Sequence, residues 1–165
     1  VLFYNLPYFL DHPLEALKLW QGGMSFHGGL VGMLVAMWML ARRYHFSYFR
    51  LMDMLAVCSP IGIFLGRMAN FINGELWGRV TDAPWGMVFP TGGPLPRHPS
   101  QLYEAAGEGV LLFVILLLLA LNTRIRDSVG ALSGLFLIGY SLARMGAEHF
   151  REPDAQLGFL FAGVT

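Results

Sequence analysis

Residues 110–121 read VLLFVILLLLAL, twelve apolar residues in a row. The apolar pattern extends back to Leu102, and a helix needs about 20 mostly apolar residues to cross a bilayer. The stretch 102–121 therefore reads as a membrane span. The composition of the whole chain agrees. Of 165 residues 55% are hydrophobic and 13% charged, where soluble domains carry about 25% charged residues. Three further spans follow on the same criterion: about 22–41, ending on Arg42 and Arg43; about 49–71; and about 129–150. The fold class expected is all-α, a polytopic integral membrane helical bundle forming one partial transmembrane domain over 1–165. The opening VLFYNLPYFL and the closing LGFLFAGVT read as apolar segments of further helices, so the expectation is a fragment lacking helices at both ends. Gly130, Gly134 and Gly139 suit close helix–helix approach, as small residues do in lipid.

Several classes are excluded. Net charge is zero, so nothing points to a nucleic-acid partner. The single cysteine, Cys58, rules out an internal disulfide framework and a cysteine-based metal site. It sits mid-span and reads as a small buried residue.

Orientation follows from the short basic loops. Arg42, Arg43 and Arg50 lie in one loop, Arg124 and Arg126 in another, the short polar turn 122–128. Four crossings place both on one side, the cytoplasmic one. Residues 1–21 and the loop 73–100, rich in proline and carrying Trp77 and Trp85, then face outward as an ordered interfacial segment.

Charges inside spans are costly and mark function by default. Arg67 and Asn70 lie three apart on one helical face. Tyr140, Arg144, Glu148 and Arg151 form a stripe spaced four, four and three; Gln101, Glu104 and Glu108 form another. His27 stands in GGMSFHGGL, where the surrounding glycines suggest close backbone approach or an irregular turn. All fall in the outer half of the membrane under this topology. Two guanidiniums, each a planar permanently charged fork, suit bidentate capture of a phosphate. Structural ion pairing of Arg67 and Arg144 with Glu75, Glu104 or Glu148 competes with that reading, and the two are compatible at Glu148, which can orient Arg144 at i+4. His27 is a candidate general base or a hydrogen-bonded structural residue. His98 reads as a loop hydrogen-bonder, and Asp53 as a first-turn helix residue or a partner of Arg50.

Four phrases, GGMSFHGGL (22–30), GRMANFINGELWGR (66–79), LPRHPSQLYEA (95–105) and GLFLIGYSLARMGAEHFREPDAQLG (134–158), resemble the prolipoprotein diacylglyceryl transferase family in order and spacing. The resemblance covers nearly the whole chain. It implies a seven-helix protein of the bacterial cytoplasmic (inner) membrane with its active site toward the outer leaflet. It further implies transfer of the sn-1,2-diacylglyceryl group of phosphatidylglycerol to the lipobox cysteine of a prolipoprotein signal peptide. A thioether forms and glycerol phosphate leaves, with no metal or nucleotide cofactor; the partners are these two substrates and membrane lipids. By resemblance Arg67 and Arg144 are the essential arginines, His27 the proposed base, Asn70 and Gly78 signature positions, and Glu148 the acidic partner of Arg144. Asn70, Glu75, Gly78, Glu104, Tyr140 and Glu148 are the expected substrate-binding set. The short stretch TGGPLPRHP stands where some family members carry a longer insert, which touches the shape of the outer loop.

The alternative function is a membrane transporter or binder of a phospholipid or small anion, which would show broken helices paired across an inverted repeat; none is visible. A serine protease is disfavoured, because Ser133 in GALSG has no histidine placed to activate it.

Overall fold

A computed structural model describes residues 26–152 of the chain. Gly22 and Gly23, the first 21 residues and the closing LGFLFAGVT lie outside them. The chain divides into two compact units, 1–51 and 52–165. All regular structure among the described residues is helical, with three isolated antiparallel bridges and no strand.

In the first unit, α1 spans Phe26–Tyr44. His27, Gly28 and Gly29 lie within its first turns and are helical, while Gly22 and Gly23, on which the expected irregular turn also rests, lie outside the described residues. A polar face at its end is tied to aromatic rings: the Arg42 guanidinium lies 5.2 Å from the Trp38 ring centre and that of Arg43 5.9 Å from Tyr44. His45 takes a left-handed φ of 56°, and Phe46 N–H donates to the Ala41 carbonyl at 3.0 Å. That is the geometry by which a helix commonly stops.

Helix α2 spans Tyr48–Asn73 and carries the unit boundary near its start. Pro60 sits inside it, which removes one ladder hydrogen bond, and Ser59 Oγ turns back to the Leu55 carbonyl at 2.8 Å. Cys58, expected to be buried, is exposed. In a helix this apolar, a small uncharged thiol on the outward face meets the same surroundings as its neighbours.

Helix α3 spans Ser100–Leu121, and its middle, Ala105–Leu111, is wound as a π-helix. Such turns are rare and frequent at functional sites. The segment 122–128 is more ordered than a turn: a single helical turn, α4 (Thr123–Asp127), is capped by Asn122 Oδ1, which accepts from Arg124 N–H at 3.1 Å. Helix α5 spans Ala131–Glu148.

Three glycines draw the helices together or turn the chain. A Cβ on Gly109 would lie 2.7 Å from Phe64 Cβ, and one on Gly139 2.5 Å from Leu112 Cδ1, so α3 approaches α2 and α5 closely at these points. Gly130 serves differently, holding φ 85° at the start of α5. Gly134 faces open space. Of the three glycines expected to mediate close packing, only Gly139 does so.

The start of α5 is also where Asp53 finds its partners. Its buried carboxylate accepts from Gly130 N–H (2.7 Å), Ser133 N–H (2.8 Å) and Ser133 Oγ–H (2.7 Å). It is therefore neither a first-turn residue nor a partner for Arg50. It lies one turn into α2 and caps the N-terminus of a different helix, where unsatisfied amides and the helix dipole favour an anion.

Helices α2 and α3, of 26 and 22 residues, are long and apolar enough to cross a membrane. Large apolar side chains point outward along both, Leu65, Ile72 and Leu118 among them.

Candidate functional site: an arginine–glutamate cluster

Near the end of α2 opposite Asp53, the stripes seen in the sequence meet. Glu104 and Glu108 extend from the α-to-π part of α3, Arg67 from α2, and Arg144 and Glu148 from α5; Arg151 follows α5. Glu104 stands at the centre. Arg67 Nε lies 3.0 Å from Oε2, Arg144 Nη1 2.6 Å from Oε1 and Arg151 Nε 3.5 Å from Oε1. The two principal arginines thus approach opposite oxygens of one carboxylate. Glu108 receives Arg67 Nη2 at 3.3 Å, and Glu148 receives Arg144 Nη2 at 3.1 Å and Arg151 Nη1 at 3.4 Å.

These distances have an electrostatic consequence. Among the described residues three cations face three anions, the near-balance that a group of charges away from water requires. The side chains of Glu104 and Glu108 are 0% exposed, whereas those of Arg67 and Arg144 are 17% and 28% exposed. The carboxylates form the floor and the guanidiniums the accessible layer. Each guanidinium has five N–H donors in a rigid fork, and the glutamates engage only some of them. Among the described residues Glu104 Oε2 and Glu108 Oε1 make no hydrogen bond, so Arg67 is held at Glu104 Oε2 by charge rather than by an aligned N–H. What the arrangement can do is present two oriented guanidinium edges to an anion while fixing their other edges from behind.

Not every expected site residue joins this group. Tyr140 does: it lies in the field of Glu108, Arg144, Arg67 and Glu104 and stacks on Phe136 at 6.0 Å. Glu104 joins it, fully buried beneath the arginines. Asn70 contributes its backbone carbonyl, which accepts from Glu75 N–H at 2.9 Å. Glu75 is exposed, and among the described residues its carboxylate forms no ion pair; its carbonyl accepts from Gln101 Nε2. It is not the structural partner of either arginine. Gly78 is buried where three backbone segments cross. A Cβ there would lie 2.8 Å from the His98 carbonyl oxygen, and Gly78 N–H donates to that same oxygen at 2.9 Å. Close packing accounts for glycine at this place. His27 is exposed in the first turn of α1, in the other unit.

Glu108 and Arg151 were visible as members of the helical stripes, yet spacing alone did not mark them as site residues. Their signal was the periodicity itself, since a residue four or three positions along a helix from a site residue shares its face.

The loop 73–100 braces the cluster's helices. Thr91 Oγ1, Gln101 Nε2 and Ser100 Oγ donate to the successive carbonyls of Gly74, Glu75 and Leu76. Arg97 donates to the carbonyls of Gly92 (2.8 Å) and Gly78 (3.2 Å), pairs with Glu152 at 3.0 Å and lies 3.9 Å from the Trp77 ring centre. His98 Nδ1 is 3.1 Å from the Tyr103 hydroxyl, a loop hydrogen bond as expected.

Comparison with known proteins identifies the family. The family model for prolipoprotein diacylglyceryl transferase matches residues 1–165. The chain belongs to the prolipoprotein diacylglyceryl transferase family. Curated relatives named phosphatidylglycerol–prolipoprotein diacylglyceryl transferase include one from Rhodospirillum centenum, 56% identical over 168 residues and covering 100% of this chain and 61% of the relative. Another, from Methylocella silvestris, is 59% identical over 165 residues, covering 100% of the chain and 60% of the relative. A third, from Allorhizobium ampelinum, is 58% identical over 163 residues, covering 99% and 57%. The chain thus spans about 60% of the length of the curated relatives it matches. Membership of this family and the two long apolar helices make it a membrane protein.

Proposed function

We propose that the chain belongs to an enzyme that transfers the sn-1,2-diacylglyceryl group of phosphatidylglycerol to the lipobox cysteine thiol of a prolipoprotein. The names of its relatives support the reaction and both substrates. The observation that carries the site is the sharing of Glu104 by Arg67 and Arg144, with buried carboxylates behind and guanidiniums accessible.

The chemistry asked of these residues is modest. The cysteine sulfur attacks the glyceryl carbon that bears the phosphate, the carbon–oxygen bond breaks, and glycerol phosphate departs with the electron pair as a thioether forms. The phosphate gains charge as it leaves. Two guanidiniums fixed in advance stabilise that charge without reorganising, and such preorganised stabilisation is usually the largest single term in catalysis. Glu104, Glu108 and Glu148 hold the guanidiniums in place, and Tyr140 and Asn70 complete the surroundings of the bound headgroup. The thiol proton goes to His27, the base that the family resemblance suggests. In this reading α1, α2, α3 and α5 cross the bacterial inner membrane, and the cluster faces the outer leaflet.

The deciding experiment incubates the full-length protein in detergent with phosphatidylglycerol and a lipobox peptide. Expected are a thioether-linked diacylglyceryl peptide and glycerol phosphate in equal amounts. Binding of the lipid without either product would favour a transporter or lipid binder. The base is tested separately. His27→Gln should lower the rate most near neutral pH and least above about pH 9, where a thiol of reference pKa about 8.5 ionises unaided. A deficit constant with pH would make His27 structural.

A further inference from the structure

The segment 80–95 has a surface unlike that of a loop in water. Among its exposed residues only Asp82 is charged. Trp85, Val88 and Leu95 are 60%, 61% and 54% exposed. The two cations nearby turn inward: Arg79 Nε donates to the Arg151 carbonyl at 2.7 Å, and Arg97 is held on Trp77 and Glu152. The loop is also rigid in the way an anchor requires. Arg97 exchanges both backbone hydrogen bonds with Met87 and bridges to Val80. Trp85 Nε1–H donates to the Tyr103 hydroxyl on α3 at 2.8 Å. The single polar atom of the indole is satisfied by the protein, and the ring is left outward with no polar group to desolvate.

The position of this surface names what covers it. The loop leaves the end of α2 and enters the start of α3, the two helices long and apolar enough to cross a membrane. It therefore begins and ends at one membrane face, and outward apolar side chains continue into it through Ile72 and Leu76. Apolar surface of this kind marks an interaction site, and tryptophan and tyrosine concentrate at the boundary between headgroups and acyl chains.

We propose that the segment 80–95 is a membrane-docking element whose Trp85, Val88 and Leu95 sit in the headgroup–acyl boundary of the leaflet where α2 ends. The proposal rests on the reading of α2 and α3 as membrane crossings. It gives the loop a function beyond bracing: seated on the leaflet, it holds the arginine cluster at the level of lipid headgroups.

The test places the full-length protein in nanodiscs whose acyl chains are brominated and compares them with unbrominated ones. A fluorophore is attached at Val88→Cys or, as an internal reference on α3, at Leu118→Cys, each in a background without other cysteines; both native side chains are outward, so packing is little disturbed. A third protein keeps Trp85 as its one tryptophan. Bromine should remove a large share of the emission at all three positions. Quenching at Leu118→Cys with none at Val88→Cys or Trp85 would overturn the docking element and leave the membrane crossings standing, as when another protein segment covers this face. No quenching at Leu118→Cys would overturn the crossings, and the proposal with them.

Discussion

Helices α2 and α5 are joined at two places by buried carboxylates, and the two joints differ in kind. At one, Asp53 accepts from two backbone amides and a hydroxyl at the start of α5. At the other, about 21 Å further along α2 at 1.5 Å per residue, Arg67 and Arg144 share Glu104. The donors around Asp53 are short, fixed by the helix backbone and used up by it. Among the described residues these donors are taken up by the one carboxylate, as a structural joint requires. The donors around Glu104 belong to long cations whose forks exceed what the glutamates take, and which keep partial exposure. The same kind of residue, a buried acid between helices, meets fixed backbone donors at a helix N-terminus in one place and partly exposed arginines in the other.

The comparison can be broken most severely at Glu104. Glu104→Gln keeps the shape and removes the charge that three arginines share. Breaking a buried ion pair from one side typically costs about 3–5 kcal/mol, so thermal unfolding in detergent should drop steeply. A melting temperature equal to wild type would mean that the arginines find solvent or lipid instead, and that the floor of the cluster is dispensable.

Arg144→Lys comes next. It retains a charge and loses the planar fork. Transfer should fall by about 10²–10³-fold, the scale seen when one preorganised donor is lost, with unfolding close to wild type. Initial rates with lipid and peptide measure it; near-normal turnover would show that a point charge suffices.

Gly78→Ala tests the bracing loop beside that site. A methyl must enter between backbone segments that do not yield easily, and overpacking of this kind costs about 1–3 kcal/mol. A stability unchanged from wild type would return Gly78 to the substrate-contact role expected from the resemblance.

The smallest effect belongs to the other joint. Asp53→Asn can turn only one acceptor toward α5, leaving a donor facing a donor, and loss of a helix cap costs about 0.5–2 kcal/mol. Activity measured well below the unfolding temperature should be unchanged. A fall in rate without a fall in stability would show that the two ends are coupled, and that the contrast drawn between them is too sharp.

Much of this is legible in the sequence. Periodicity placed Glu104 and Glu108 on one face, and Tyr140, Arg144, Glu148 and Arg151 on another, because 3.6 residues per turn settles which side chains of one helix are neighbours. Hydrophobic run length marked four spans, of which α2 and α3 are long and apolar enough to cross a membrane. The surroundings of Asp53, Gly78 and Cys58 are not legible in the sequence for a common reason. Each depends on where the other segments lie: the N-terminus of α5 at Asp53, the backbone of His98 and Phe150 at Gly78, and for Cys58 an exposed face of α2. A residue's own surroundings in sequence carry no record of these.

What the sequence determined by itself, then, is the solvent and the faces: apolar stretches that demand lipid, and polar stripes too costly there to be idle. Which acid holds which arginine was decided only by the tertiary structure. Arg67 is paired with Glu104 and Glu108 and not with the nearer-in-sequence Glu75, because partner choice across helices depends on their relative register. That register is set by Gly109 against Phe64, Gly139 against Leu112 and a π-wound turn in α3, contacts that form only when the chain has packed.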